Sequence, residues 1–389
     1  MAFYFNDISY FEKLTQVIFS NTKLAIDILI GLTGLLCFWL GLFKIIEKTG
    51  FVANLALKLT PLLSFLIPSI PKGHPAFEPI LMNVSANFLG LDNAATPMGL
   101  KAMQLLQTLN TKKDTLSDAQ IFFIVLNTAS ITFFPSTVFM YRAQMGAEAP
   151  TDIFLPLLMT SFVSTFAGLL SVLMIQKINL LTFKSMCFLF GIVLFFSTPI
   201  LLTHYFGQHF FIHRANFIPH LFLACLISFI LIAAMIKKVQ CFDEFIEGAK
   251  EGFQVALKMA PYLIAMLVAV GVLRESGLLP SLVNGVEALF HFMGFSTDFV
   301  SSLPTAIMKS FSGSGARAMM LDVMKTEGAD SFAGHLVSMI QGSSETTFYV
   351  LTLYTGVIGI KKIRYALYCS LFADTVAFVS AVFFARLFF

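Results

Sequence analysis

The sequence predicts an all-α polytopic membrane protein with two inverted repeats, each containing a re-entrant helical hairpin and a broken transmembrane helix. Three observations support this fold class: the chain is mostly apolar, two segments carry short helical arms around a polar break, and the two halves repeat the same order of elements. Of 389 residues, 57% are hydrophobic and only 12% are charged. A soluble domain usually carries about twice that charged fraction, so most of the apolar surface cannot face water.

The apolar part of the chain divides into runs that are long enough to cross a bilayer. Each holds about 20 residues, the length of helix that spans roughly 30 Å of hydrocarbon. All are expected to be helical, because lipid offers no hydrogen-bond partner to open backbone groups. The expected spans lie near residues 24–46, 119–145, 152–175, 183–203, 217–236, 255–274, 332–356 and 363–387. Residues 1–20 precede them and have the composition of an interfacial amphipathic segment or a short first membrane element.

Residues 77–110 and 300–326 do not fit as full spans. The first is interrupted by LDNA and the second by SGSG. Each arm beside a break holds roughly ten to fifteen residues, or about 15–22 Å of helix, which is too short to cross the hydrocarbon. Such backbone is tolerated at membrane depth only where protein or a water-filled cavity covers it. Both segments are therefore predicted to be re-entrant hairpins.

The distribution of lysine and arginine supports this topology. If both hairpins enter and leave on one face, five loops share a side of the membrane: residues 47–76, 111–118, 176–182, 237–254 and 357–362. With its flanks, that side carries about twice as many cations as the other, which favours it as cytoplasmic. The prediction is a multi-pass protein of the cytoplasmic (inner) membrane with both termini outside.

The two halves of the chain repeat each other. NTKLAIDILIGLTGLLCFWLGLFKIIEKTG (21–50) aligns without a gap with GAKEGFQVALKMAPYLIAMLVAVGVLRESG (248–277). Each copy is followed by an amphipathic stretch, a hairpin and a helix with a polar centre. Each copy crosses the membrane twice and three spans separate the copies, so they are predicted to be inverted, as in alternating-access transporters. The alternative is a chance likeness in hydropathy between two polytopic halves.

The first hairpin concentrates carboxamides and a carboxylate. Its polar residues are Asn83, Asn87, Asp92, Asn93 and Thr96. Asn83 and Asn87 are four residues apart and share a helix face. Asp92 and Asn93 are expected at the break, and Pro97 suits the first turn of the second arm. These groups are predicted to bind a polar solute.

The second hairpin has a different tip, SFSGSGAR (310–317). Its second arm is predicted to begin at Ala316, so that free N–H groups and Arg317 face the gap together with Ser312 and Ser314. A helix N-terminus with a guanidinium group is a ready anion site. A phosphate-binding loop would end in lysine and serine or threonine, which GSGAR lacks. The remaining alternative is an ordinary glycine-rich loop.

Two helices with polar centres complete the predicted site. LNTASITFFPSTVFMY (126–141) contributes Asn127 and Ser130. IQGSSETTFYVLTLY (340–354) contributes a longer set, which consists of Gln341, Ser343, Ser344, Glu345 and Thr346.

Three carboxylates are candidates for coupling to a proton or a sodium ion: Asp92, Glu345 and Asp374. Acids inside membrane helices are costly and are functional by default. Glu345 could instead pair with Arg317 or Lys309 and only hold the fold. For Asp374 the structural role is the favoured one.

No metal site, organic cofactor or catalytic group is expected. The five cysteines are scattered without a CxxC pair, and the spacing of His204, His209 and His213 matches no common metal site. No nucleophile–base pair is recognisable, so an enzyme is the least favoured class.

The motifs LMNVSANFLGLDNAATPMGLKAM, SGSGAR and QGSSETTFYV resemble those of the spore maturation protein A and B families. The first half is similar to A and the second half to B, which are separate chains in spore formers. The resemblance implies two nucleoside-recognition, or gate, domains, similar to concentrative nucleoside transporters with paired re-entrant hairpins and broken helices. Ferrous-iron permeases of the same superfamily carry a G-domain and a cysteine-rich motif that this sequence lacks.

This resemblance divides the chain into five parts. They are an interfacial segment (1–20), a first gate repeat similar to protein A (21–146), three linking transmembrane helices (147–237), a second gate repeat similar to protein B (238–360) and a C-terminal transmembrane helix (361–389).

The predicted function is secondary transport of a small polar, anionic organic solute by alternating access, with the substrate held between two hairpin tips. Peptides, dicarboxylates and nucleosides are the candidate substrates. The alternative is a gate or channel-like envelope assembly subunit without coupled transport. The expected partners are the lipid bilayer, a small-molecule substrate and a second copy of the chain, in a dimer rather than a trimer. Nucleic acid is not expected to bind.

Overall fold

The computed structural model describes residues 8–51, 54, 66–71, 73–88, 92–133, 135–178, 217–294 and 296–389. Its helices in these residues are α-helices, except for one 3-10 turn at Val300–Ser302. In chain order the helices are α1 (Ile8–Lys48), α2 (Phe77–Phe88), α3 (Asp92–Leu109), α4 (Asp118–Thr128), α5 (Ser136–Gln144), α6 (Phe154–Ile175), α7 (Phe217–Ile236), α8 (Cys241–Glu275), α9 (Leu278–Phe292), α10 (Leu303–Phe311), α11 (Gly313–Glu327), α12 (Phe332–Gly342), α13 (Thr347–Ile358) and α14 (Ala366–Phe388).

Within this described part of the chain, α1, α6, α8 and α14 are long and apolar enough to cross a membrane. They contain four of the expected spans, and α1 also runs without a break through the predicted N-terminal segment from Ile8 onwards. α7, at Phe217–Ile236, has the bounds of the expected span near 217–236. The expected span near 183–203 lies outside the described residues. The prediction of an all-helical membrane protein is confirmed at this level.

The expected spans near 119–145 and 332–356 are each interrupted. The first divides into α4 and α5, and the second into α12 and α13. Pro135 stands immediately before α5, and proline disfavours a helical conformation in the residue before it. Thr346, immediately before α13, has an extended backbone with φ −73° and ψ 104°. Each break falls in the polar centre that the sequence marks.

The helices α2 and α3 form the first hairpin, and its break lies earlier than expected. α3 begins at Asp92, so Asp92 and Asn93 open the helix and Pro97 is its sixth residue rather than part of the first turn. Asp and Asn are among the preferred residues at helix starts, which accounts for the earlier beginning.

The helices α10 and α11 form the second hairpin, and its break is a single residue. Ser312 is extended, with φ −150° and ψ 113°, and its hydroxyl oxygen accepts a hydrogen bond from the Gly315 backbone N–H at 3.1 Å. Because this cap satisfies a free donor of the first turn, α11 begins at Gly313. The expected beginning at Ala316 was three residues too late.

The chain divides into two compact units. Unit 1 comprises residues 1–49, 136–150 and 233–341, and unit 2 comprises residues 50–135, 151–232 and 342–389. Unit 1 therefore contains the second hairpin, the first half of the second interrupted helix (α12) and the second half of the first one (α5). Unit 2 contains the first hairpin, α4 and α13. Each unit thus combines a hairpin with one half-helix from the first half of the chain and one from the second half.

The core of unit 1 is built on α1 and α8, which pack antiparallel. The Asn21 amide nitrogen donates to the Leu267 carbonyl at 3.1 Å, and the Lys44 ammonium donates to Glu251 at 2.7 Å. Gly248 and Gly252 lie against the backbone of α1, where a Cβ atom would clash with it. Buried side chains of α5, α11 and α12 complete this core.

The core of unit 2 surrounds α4, which is buried along most of its length. Apolar side chains of α2, α3, α13 and α14 pack against Phe122 and Phe123, both fully buried. α14 packs along α6, where the Ser164 hydroxyl donates to the Ala373 carbonyl at 3.0 Å. Unit 2 therefore places the first hairpin directly beside α4 and α13.

Candidate functional site

A cluster of carboxamides lies between the hairpin, α4 and α13 in unit 2. We call Asn83, Asn87, Asn127 and Tyr354 the carboxamide cluster. The Asn87 amide nitrogen donates to Asn127 Oδ1 at 3.0 Å, and the Tyr354 hydroxyl donates to the same oxygen at 3.0 Å. The Asn83 amide nitrogen donates to the Ala95 carbonyl at 2.8 Å and to the Tyr354 oxygen at 3.3 Å. Three residues that the sequence singled out are thus brought together.

The directions of these hydrogen bonds show that one acceptor of the carboxamide cluster receives no hydrogen bond from the described residues. Tyr354 has a single hydroxyl proton, which it gives to Asn127, so its oxygen is an acceptor toward Asn83. Asn127 in turn donates to the Phe123 carbonyl at 2.9 Å. Oδ1 of Asn83 is buried and has no hydrogen-bond partner in the described part of the chain. A buried acceptor without a partner is costly, so this oxygen is suited to a donor from a bound solute.

Tyr354 was not among the residues predicted for the site. Its ring stacks on Phe123 with centroids 5.5 Å apart and an interplanar angle of 2°. Gly99 in α3 leaves the space that the hydroxyl occupies, because a Cβ atom there would overlap it. The sequence did contain an indication: Tyr354 is seven residues after Thr347, on the same face of the helix.

The helix breaks in unit 2 satisfy each other's backbone groups. The Glu345 N–H donates to the Thr128 carbonyl at the end of α4 at 2.8 Å, and the Phe133 N–H donates to the Phe88 carbonyl at the end of α2 at 2.9 Å. The last carbonyl groups of a helix have no partner within it, and lipid supplies none. These bonds make the interruptions tolerable inside an apolar protein.

The two acids of this region have different surroundings. The Thr347 hydroxyl donates to Asp374 Oδ2 at 2.8 Å, which ties α14 to the start of α13. Glu345 is half-buried, and its carboxylate has no hydrogen-bond or ion-pair partner within the described part of unit 2. Asp374 therefore has a structural contact, whereas Glu345 is available for a ligand or a proton.

The tip of the second hairpin, in unit 1, gathers the predicted serines and the cation. The hydroxyls of Ser312 and Ser314 lie 3.2 Å apart, and Arg317 Nε donates to the Gly313 carbonyl at 3.3 Å. The guanidinium is thus held at the first turn of α11, where the helix dipole is positive. Lys309 precedes the tip and is buried. The concentration of positive charge favours an anionic group.

The remaining predicted residues have mixed environments. Ser130, Ser343, Ser344 and Thr346 are buried in unit 2, where Thr96 is half-buried. Gln341 is half-buried in unit 1, and its Oε1 has no hydrogen-bond partner among the described residues. The side chains of Asp92 and Asn93 lie outside the described residues.

The helices and polar clusters define the class: a helical membrane protein with interrupted helices and buried polar groups at the interruptions. Comparison with known proteins gives the family. Residues 29–147 and 256–361 match the family described as "Gate: Nucleoside recognition", which together cover more than half of the chain. The chain belongs to this family.

Two relatives are each similar to less than half of the chain. "Spore maturation protein B" of Bacillus subtilis (strain 168) is 38% identical over 174 residues, which are 45% of this chain and 96% of that protein. "Spore maturation protein A" of the same organism is 39% identical over 159 residues, which are 41% of this chain and 81% of that protein. The resemblance found in the motifs is confirmed. No solved structure matches the chain.

Proposed function

We propose that the protein is a secondary transporter of the cytoplasmic membrane for a small polar, anionic organic solute. The single observation that carries the proposal is the carboxamide cluster, because it places a buried acceptor without a partner beside a hairpin and an interrupted helix. The cationic tip of the second hairpin supports the anionic character of the solute. Glu345 is the candidate for coupling to a proton or a sodium ion.

The proposal includes inverted repeats, which three observations support. The family matches two segments of the chain, and each unit contains one hairpin and one half of each interrupted helix. The third observation is the packing of α1 on α8. In the gapless alignment Asn21 corresponds to Gly248 and Lys44 to Gly271. In unit 1 Asn21 lies against Gly271 and Lys44 lies against Gly248. Replacing each residue of the first contact by its aligned counterpart therefore gives the second contact. Two copies related by a twofold axis across antiparallel helices have this property, as an inverted pair requires.

The proposal also includes re-entry of both hairpins. The first arms, α2 and α10, have 12 and 9 residues, or about 18 and 14 Å of helix. The second arms, α3 and α11, have 18 and 15 residues, or about 27 and 22 Å, so α3 is longer than the expected ten to fifteen residues. All four lengths fall short of roughly 30 Å of hydrocarbon. Cysteine accessibility along α2–α3 and α10–α11 in sealed vesicles tests this: residues at the start of the first arm and at the end of the second arm of each hairpin should be labelled from the same face of the membrane.

Uptake into proteoliposomes tests the transport function. The panel comprises labelled peptides, dicarboxylates and nucleosides, the last because of the family's description, each measured with and without an ion gradient. The Arg317→Ala variant should lose uptake of the preferred solute, since the tip loses its guanidinium. Lys361→Ala, which removes an exposed cation after α13, is the control and should transport normally.

Two results would count against the proposal. Normal uptake by Arg317→Ala would remove the argument for an anionic solute. Solute flux that follows only the solute's own gradient and does not respond to an ion gradient would favour a channel-like assembly subunit over a coupled transporter.

A further inference from the structure

Unit 1 contains a small cavity that shares no residue with the tip of the second hairpin. It is lined by the end of α8, by α9 and by the base of the α10–α11 hairpin, and its volume is about 150 Å³. Its polar lining residues are Arg274, Asn284, Ser301, Asp322 and Glu327. A cavity of this size accepts a group comparable to benzene rather than a complete metabolite.

The position of Arg274 places the cavity at the edge of the membrane. The apolar part of α8 ends at this residue, and α9 begins at Leu278 after a turn at Gly277, which has φ 77°. An arginine at the end of a membrane helix extends its guanidinium to the level of the lipid headgroups. The cavity therefore opens at headgroup depth.

Helix α9 has the character of a helix that lies in the membrane interface. One apolar face packs on the protein, with Leu279 buried. A second apolar face is exposed, and its exposed fractions range from 53% at Leu278 to 88% at Phe292. Ser281, Asn284 and Glu287 occupy the remaining side. A helix with this distribution lies with its apolar face in the acyl-chain boundary, which brings lipid to the mouth of the cavity.

The charges in the cavity are arranged for a zwitterion. Arg274 Nε donates to Asp322 Oδ2 at 2.6 Å, and Nη2 contacts the same oxygen. In the described part of the chain, Arg274 Nη1 and Asp322 Oδ1 have no hydrogen-bond partner. Glu327 accepts a weak hydrogen bond from Ser301 at 3.4 Å. The cavity thus offers N–H donors to a phosphate and two carboxylates to an ammonium group.

We propose that this cavity binds the headgroup of a phosphatidylethanolamine molecule, with its phosphate on Arg274 and its ammonium on Asp322 and Glu327. The ammonium of ethanolamine has three N–H donors for the carboxylates. A choline headgroup has none and is usually held by aromatic side chains, and no residue among the described ones that line the cavity is aromatic. An anionic headgroup would leave the carboxylates without a partner. The exposed leucines of α9 would contact the acyl chains.

Lipid binding to the purified full-length protein tests this proposal. Native mass spectrometry and thermal denaturation in detergent compare phosphatidylethanolamine, phosphatidylcholine and phosphatidylglycerol of the same chain length. We expect phosphatidylethanolamine to bind about tenfold more tightly than the other two, because one charged hydrogen bond distinguishes them. Glu327→Gln should lose most of this preference, and Glu275→Gln, an exposed acid outside the cavity, should keep it.

Several results would overturn the proposal. These are equal binding of the three lipids, a preference that survives in Glu327→Gln, and competition by free phosphoethanolamine as effective as that of the lipid, which would indicate a soluble ligand. Leu282→Ser tests the apolar face of α9: weaker lipid binding is expected. A change of oligomeric state instead would mean that a second copy covers this face.

Discussion

Both units contain an arginine that connects an interrupted helix of one half of the chain to the start of a half-helix from the other half. In unit 1, Arg142 of α5 donates to the Ala329 carbonyl at 2.7 Å and to Asp330 at 2.9 Å, just before α12. In unit 2, Arg364, which follows α13, donates to the Leu116 carbonyl at 3.0 Å and to Asp118 at 2.7 Å, at the start of α4.

The two arginine contacts differ in burial. The Arg142 side chain is fully buried, whereas that of Arg364 is 37% exposed; their partners Asp330 and Asp118 are 38% and 47% exposed. An exposed ion pair contributes little because water screens it, but removing a fully buried arginine leaves a cavity and a carbonyl without its donor. The same connection is therefore expected to be a stability determinant in unit 1 and a minor contact in unit 2.

Replacement of Arg142 gives the largest effect expected from this comparison. Arg142→Ala should destabilise the protein by about 3 kcal/mol, because it removes a fully buried side chain and leaves the Ala329 carbonyl without its donor; Asp330 keeps the Glu148 N–H as a partner. Arg364→Ala, the matched control, should cost less than about 1 kcal/mol. Thermal denaturation in detergent measures both. Equal losses would mean that burial does not distinguish the two contacts.

A stability effect of intermediate size is expected from substitutions in the second arms of the two hairpins. A Cβ atom at Gly99 would overlap the Tyr354 hydroxyl, whose ring is fixed by stacking on Phe123. At Gly315 it would meet the methyl ends of Met308 and Met266, which are flexible. Gly99→Ala should therefore cost about 1–3 kcal/mol and Gly315→Ala less than about 1 kcal/mol. The reverse order, measured by thermal denaturation, would show that the first hairpin is the more adaptable one.

The smallest effect on stability is expected from an exposed ion pair near Arg364. The Lys362 ammonium binds Asp114 at 2.9 Å, and this hydrogen bond lowers the pKa of the Asp114 carboxyl below its ordinary value. Because the folded-state pKa is the lower one, the contribution to stability is complete above about pH 4 and is lost as the pH falls through the folded-state pKa. Asp114→Asn should remove only this pH dependence.

Melting temperatures of the wild type and Asp114→Asn between pH 3 and 7 check that prediction. At pH 7 the two should differ by no more than about one degree, since the pair is fully exposed. A wild type that becomes more stable than the variant only below pH 4 would contradict the sign of the shift.

The sequence allowed the helical hairpins and interruptions to be predicted because their cause is local. Short arms, polar breaks and a proline before α5 are visible in the chain itself. The positions of the breaks were less accurate, because the Ser312 side chain caps α11 earlier than the glycine pattern indicated. The polar residues Asn83, Asn87 and Asn127 were predicted together, but Tyr354 was missed because its partners are more than 200 residues away.

The composition of the two units could not be predicted from local patterns. The sequences of α5 and α13 do not indicate which hairpin each will pack against, since both helices are short, with 9 and 12 residues. Arg142 and Arg364 could be counted as cations, but their partners Asp330 and Asp118 lie in the other half of the chain. Long-range partners of this kind depend on the complete fold.

The exchange of half-helices limits how the polypeptide could be divided. A cut in the linking region would leave the N-terminal piece with the hairpin of unit 2 but without α13, and the C-terminal piece with the hairpin of unit 1 but without α5. Neither fragment could assemble a whole unit from its own sequence. Both fragments would therefore have to be synthesised together, and each would have to pack its half-helix into the other fragment's unit before either unit became stable.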